Sequence, residues 1–331
     1  MKPASAALAV VVGLTLVGSP AAYAAGPPAL SFPLACELGR TCEIQHYVDR
    51  DPGPGTRDYR CGLQTYDKHT GIDIRIPDMA AQRRGVAVLA AAAGRVTRLR
   101  DGVADISIRA TGAPSVANQE CGNGVVVDHG DGWETQYCHM ARGSISVKQG
   151  QAVSAGTPLG LVGLSGNTEF PHLHLTVRHA GVTVDPFAPD MSNPSACTAQ
   201  AGLWTAQVKR QMTYRPGVVL NAGFTDTTIT MDQLEAGDLR PVTTEAQMMV
   251  AYFRAISLLP GDTVELELKG PGGVSLAKTR GQPMPRWRAQ EMTYVGKRRP
   301  ATGWPQGLYV AEYRVWRDGK VASSRRIETR L

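Results

Sequence analysis

The chain has 331 residues, 43% of them hydrophobic and 19% charged, a globular composition that excludes a disordered tail and a fibre. Its formal charge of +6 comes from scattered basic residues with no nucleic-acid motif among them, so nucleic acid is not an expected partner. The 36 Gly, 22 Pro and six Cys point to many turns joining short strands, hence to a mainly β protein of about two domains.

In chain order, Lys2 is followed by an apolar run from Ala6 to Val17 and by Ala22-Tyr23-Ala24, the pattern of a cleaved secretory signal over residues 1–24. The run is too short for a membrane span, which takes about 20 residues. A secreted chain, periplasmic or extracellular, without stable membrane insertion after cleavage, is therefore expected. In such an oxidising space all six Cys become disulfide candidates. Six Cys allow 15 pairings; position favours Cys36 with Cys42, Cys121 with Cys138 at the ends of a strand pair, and Cys61 with Cys197 by elimination.

Residues 25–65 are rich in Pro, Gly and Asp and read as a loop-rich extension with one strand at Glu43–Val48. From 66 to 195 period two dominates: Ile72, Ile74 and Ile76 alternate with Asp73 and Arg75, and Leu173, Leu175 and Val177 alternate with His174, Thr176 and Arg178. That is the signature of an antiparallel sheet domain, with Asp101 to Glu120 as an insertion between two strands. Residues 196–331 read as an accessory domain. In it Val264, Leu266 and Leu268 alternate with charged residues, and a strand over 307–316 is closed by Asp318-Gly319, a hairpin signal. A small antiparallel β-sandwich, immunoglobulin-like, fits this pattern.

Five of the seven His fall in or beside three short motifs: His69-Thr70-Gly71-Ile72-Asp73, then His129 leading to Tyr137-Cys138-His139, then Pro171-His172-Leu173-His174. On a strand, His172 and His174 share a face about 6.6 Å apart and can address one site; on a helix they would point about 200° apart. His69 and Asp73 would sit about 13 Å apart along a straight strand. The chain must bend between them, with Gly71 supplying the freedom. Two His and one Asp make a catalytic zinc set, which polarises a carbonyl and acidifies a water. One His of the last motif completes the ligands, leaving its neighbour and His139 as free imidazoles for proton transfer. His46 and His179 read as ordinary surface or core residues, and His129 as a structural turn residue.

At these residues the chain resembles the lysostaphin-type zinc metallopeptidases, which cleave peptides of bacterial cell-wall peptidoglycan. The likeness covers roughly residues 66–189: His69-x-Gly71-x-Asp73, Gly122-Asn123-Gly124 through His129, Tyr137-x-His139, and Val153-Ser154-Ala155-Gly156 through His174. It implies one Zn2+ per chain held by His69, Asp73 and His174, with His139 and His172 as catalytic residues flanking the attacking water. It implies an antiparallel β core with the site in a groove, and an endopeptidase acting on peptidoglycan stem peptides or cross-links. Two departures and one candidate match stand out. Glu169-Phe170 replaces a small residue and Gly, Met140 replaces a common Leu, and Tyr66 is the one candidate for a Tyr that assists some relatives.

The alternative reading is a non-catalytic regulator of the same fold that activates another cell-wall hydrolase. Degenerate relatives of that kind lose zinc ligands, and none is lost here. A regulatory protein partner, and a targeting or lid role for the C-terminal sandwich, follow as further expectations.

Overall fold

The computed structural model describes residues 26–193, 197 and 201–331; the expected signal, 1–24, lies outside them. The first half of the chain forms β1 (Glu43–His46), β2 (Ile72–Arg75), α1 (Met79–Arg84), β3 (Ala87–Leu89), β4 (Gly94–Arg100), α2 (Ile108–Thr111), β5 (Asn123–Gly130), β6 (Trp133–Met140), β7 (Ala152–Val153), β8 (Pro158–Leu161), β9 (His172–His179) and β10 (Val182–Val184). Among the described residues eight of these strands make one antiparallel sheet, ordered β1-β2-β9-β6-β5-β4-β7, with β10 added to β9; β3 pairs with β8 separately.

The alternation in the sequence explains the core. Ile72, Ile74, Val125, Val127, Leu173 and Leu175 all point to one face and are fully buried in a single cluster, each contributing about 1.5–3 kcal/mol of burial. On the opposite face of β2, Asp73 and Arg75 are buried too, Arg75 beneath the second body through Glu235 and Gln290. The insertion between β4 and β5 carries α2 and a short 3₁₀ turn, Ala113–Val116, with no buried residues.

The segments expected to be peripheral to this domain are packed into it. From the loop-rich extension, β1 pairs with β2 and Tyr47 lies in the first core. From beyond position 196, Leu203 and Trp204 join that core, as do Val208 of α3 (Ala206–Gln211) and Met212. The chain needs both flanks because β2 lies one strand from the sheet edge, where apolar side chains would otherwise be uncovered. The three disulfides join the pairs that position favoured: Cys36–Cys42, Cys61–Cys197 and Cys121–Cys138.

The rest of the chain forms β11 (Val218–Thr225), α4 (Met231–Ala236), β12 (Met248–Leu258), β13 (Thr263–Lys269), β14 (Ser275–Arg280), β15 (Arg288–Arg298), β16 (Leu308–Arg317) and β17 (Lys320–Arg330). These strands make a three-stranded sheet, β11-β12-β15, and a four-stranded sheet, β14-β13-β16-β17. Between them lies a core of its own in which Phe253 stacks on Tyr313 at 5.2 Å. The Asp318-Gly319 turn has φ of 49° and 73°, the paired positive values that a two-residue hairpin of right-handed twist demands.

The two bodies meet over β1 and β2. Arg75 of β2 and Arg254 of β12, both with no exposed surface, converge on one carboxylate oxygen of Glu235 in α4. Arg75 also donates to Gln45 Oε1 at 2.8 Å and Gln290 Oε1 at 3.1 Å, and Arg254 donates to the Pro77 carbonyl. Burial lowers the Arg75 pKa, while Glu235 acts in the opposite direction. Two buried guanidiniums around one carboxylate are tolerable only while that carboxylate is present. Glu235→Ala is therefore expected to cost about 3–5 kcal/mol, read as a lowered midpoint in urea unfolding of the whole chain; an unchanged midpoint would refute this account of the contact.

Candidate metal centre

Register builds the centre. On the β2–β9 ladder Asp73 lies opposite His174 and Arg75 opposite His172, and on the β6–β9 ladder Cys138 lies opposite His174. Asp73 and His174 thereby reach the same spot from adjacent strands, and His139, the residue after Cys138, reaches it from the third. His139 has φ of 60°, a left-handed conformation costing a non-glycine residue about 1–2 kcal/mol. The turn aims its ring at the cluster, 4.7 Å from the ring of His172.

His69 does fold back over Asp73, with Nε2 3.2 Å from Asp73 Oδ1, and the chain bends at Gly71. The reason for glycine differs from the expected one. Gly71 does not occupy the left-handed region; the positive φ nearby is at Lys68. What position 71 requires is space, because a Cβ there would lie 2.6 Å from both His174 Nε2 and the Leu175 carbonyl.

Three candidate donor atoms face one another: His69 Nε2, Asp73 Oδ1 and His174 Nδ1 are separated by 3.2, 2.9 and 3.1 Å. Tetrahedral zinc with bonds of about 2.0–2.1 Å spaces its ligands about 3.3 Å apart, so the donors fit with a few tenths of an ångström of expansion. His139, His172 and His174 also lie close enough to form a second, overlapping trio. His172 Nε2 is 3.3 Å from Asp73 Oδ1.

The outer contacts set the tautomers. The Tyr47 carbonyl accepts from His69 Nδ1 at 2.6 Å, the Ser165 carbonyl from His139 Nδ1 at 2.8 Å, and the Phe170 carbonyl from His172 Nδ1 at 2.9 Å. A carbonyl only accepts, so each of these rings carries its proton on Nδ1 and turns the Nε2 lone pair inward. His174 is turned the other way, with Nε2 3.1 Å from the Thr176 hydroxyl and Nδ1 inward.

Electrostatics follow from burial among like groups. Burial opposes the charge on Asp73, but the imidazoles of His69 and His172 outweigh it and hold the carboxyl well below the usual range. Burial, reinforced by His172 and His174, holds the His139 pKa well below that of a free imidazole, which leaves it neutral.

The cluster opens onto a cavity of about 420 Å³ lined by Tyr66, Glu120, Gln136, Asn167 and Arg178 among others. A wider groove of about 1020 Å³ continues from it over β4, β5 and β6, sharing Cys121, Gln136 and Arg178 and adding Arg98 and Arg100. The exposed Tyr66 ring lies 4.3 Å from that of His69. Phe170, one of the departures noted in the sequence, packs 3.8 Å beneath the Arg75 guanidinium and 5.0 Å from His172.

The remaining histidines divide. His129 is buried, bonding the Ala93 carbonyl and the Thr135 hydroxyl, and His179 stacks on Trp133 at 4.4 Å; neither reaches the cluster. His46, read from the sequence as an ordinary residue, does: it is buried with Nδ1 2.9 Å from Asp73 Oδ2. It lies 27 positions upstream of its partner, outside every motif, and only the β1–β2 pairing brings it in. Gly71→Ala is expected to force His174 or β9 to move, at about 1–3 kcal/mol, and to lower the melting temperature; an unchanged melting temperature would count against the close-packing argument.

Residues 67–186 match the family described as Peptidase family M23. The chain is 32% identical over 148 residues to the DD-carboxypeptidase/endopeptidase Mpg of Neisseria meningitidis serogroup B, a match covering 45% of this chain and 29% of that protein. It is 33% identical over 125 residues to the cell division protein DipM of Caulobacter vibrioides, covering 38% and 17%. The chain thus spans less than a third of the length of either relative. Among solved structures, the catalytic domain of the prophage-encoded M23 protein EnpA from Enterococcus faecalis aligns with a TM-score of 0.32 at 23% identity, over 48% of this chain and 94% of that one. The motifs and the family match together identify residues 67–186 as a lysostaphin-type M23 peptidase domain.

Proposed function

We propose that the chain is a secreted zinc metalloendopeptidase that hydrolyses amide bonds in peptidoglycan stem peptides or cross-links. The observation that carries this reading is the trio His69, Asp73 and His174, whose donor atoms converge to about 3 Å beside two further imidazoles turned inward. Zinc held there would polarise the scissile carbonyl and acidify a water.

The chain's own residues supply the rest. His139 is neutral with its Nε2 lone pair inward, so it takes the proton of the attacking water and returns it to the leaving amine; His172, fixed by the Phe170 carbonyl, lies beside it with its own Nε2 turned to the same space. The Tyr66 hydroxyl, protonated at neutral pH as any phenol is, is available as a donor to the developing oxyanion. The extended groove suits a peptide lying across the sheet, and Arg98, Arg100 and Arg178 suit one that bears free carboxylates. Three disulfides support an oxidising compartment. The relative Mpg is named a carboxypeptidase/endopeptidase, in keeping with a hydrolase of wall peptides.

Two sets of variants test the reading. His69→Ala and Asp73→Ala are expected to lose both zinc and turnover, whereas His139→Ala keeps zinc, measured by metal mass spectrometry, and loses about 10²–10⁴-fold in the release of new peptide termini from purified peptidoglycan. Equal turnover in all three would sink the mechanism, and zinc-loaded wild-type protein releasing no peptides would sink the activity. Arg178→Gln is expected to raise KM for carboxylate-bearing wall peptides with kcat little changed; an unchanged KM would remove the groove from substrate recognition.

A further inference from the structure

Asp73 has two carboxylate oxygens, and the cluster uses them differently. Oδ1 faces His69, His172 and His174 at 3.2, 3.3 and 2.9 Å. Oδ2 faces away and meets one ring, His46 Nδ1, at 2.9 Å. An ionised carboxylate only accepts hydrogen bonds, so His46 Nδ1 donates.

The placement of His46 is built rather than incidental. β1 is the edge strand of the sheet, and its register against β2 shifts between Ile44 and His46, which sets His46 opposite Asp73. The ring is then enclosed by aromatics: Tyr66 edge-on at 5.3 Å, His69 at 5.9 Å, and Trp287 at 6.2 Å. Trp287 belongs to the second body and precedes β15, whose Gln290 bonds Arg75. The contact that docks the C-terminal sheets thus also walls in His46.

We propose that His46 is a positioning residue for the metal centre. By holding Oδ2 it stops the Asp73 carboxylate from rotating or offering both oxygens, and it presents Oδ1 alone to the trio. A carboxylate free to swivel in so tight a cluster would exchange one well-placed donor for several poor ones, and outer partners of this kind are worth about 10–100-fold in metal affinity. Trp287 keeps the imidazole in the orientation the hydrogen bond needs and keeps water from Oδ2, so the C-terminal body takes part in shaping the centre.

The inference rests on the reading of His69, Asp73 and His174 as zinc ligands, and its test separates the two. Zinc affinity of the whole chain is measured by competition with a chromophoric chelator for the wild type, His46→Leu and His46→Asn. Leu fills the space without a donor; Asn is smaller but carries an amide N–H where Nδ1 stood. We expect the Leu variant to bind zinc about 10–100-fold more weakly and the Asn variant to recover most of that loss. A Leu variant that binds as tightly as wild type, or an Asn variant as weak as Leu, overturns the positioning role, since a packing role predicts that Leu is tolerated better than Asn. A wild-type chain that takes up no zinc overturns the ligand reading and this inference with it.

Discussion

The structure is organised around one buried carboxylate. Asp73 lies almost wholly out of solvent, yet its carboxyl is held well below the usual range by His69 and His172, while four imidazoles, those of His46, His69, His172 and His174, stand within 3.3 Å of its oxygens. A lone carboxylate in that position would shed its charge. The partners come from four places in the chain: an edge strand, the loop before β2, and two alternate positions on β9. The carboxylate can be buried only if the register of β1, β2 and β9 is held, so the chemistry of the centre and the pairing of the sheet are the same constraint.

That dependence accounts for the wrapping of the domain. A sheet ending at β2 would expose both the ladder and the polar face that carries Asp73 and Arg75. β1 closes the ladder, residues 201–212 cover the apolar side, and the C-terminal sheets cover the polar side through Arg75, Glu235 and Arg254. The cost of burying three charges is offset by mutual pairing and by hydrogen bonds to Gln45, Gln290 and the Pro77 carbonyl. Such a contact is specific more than it is strong. It fixes one relative placement of the two bodies, and with it the position of Trp287 beside His46.

Phe170 illustrates how a departure from a family pattern is absorbed. Where the resemblance implies a glycine, this chain has a residue whose carbonyl fixes the His172 tautomer and whose ring receives the Arg75 guanidinium. The backbone role is one any residue can fill; the side-chain role links the last histidine motif to the docking of the C-terminal sheets.

Much of the centre was legible in the sequence because it is written in short-range spacing. Two histidines on alternate residues of a strand, a histidine four residues before an aspartate with a glycine between, and alternating Ile and Leu at both places are local patterns, and the strand period of two gives each its geometry. The mainly antiparallel fold, the hairpin at Asp318-Gly319 and the positions of the cysteines come from the same kind of signal. What only the tertiary structure decided is everything set by pairing between distant segments. Gly71 is required for space beside His174, a strand that sequence order places a hundred residues away. Arg75, on the polar face of β2, is buried because another body docks there. His46 becomes a partner of Asp73 through a bulge in an edge strand. None of these has a sequence period of its own, since hydrophobic alternation records which way a side chain points and carries no record of which strand, ring or charge will be waiting on that side.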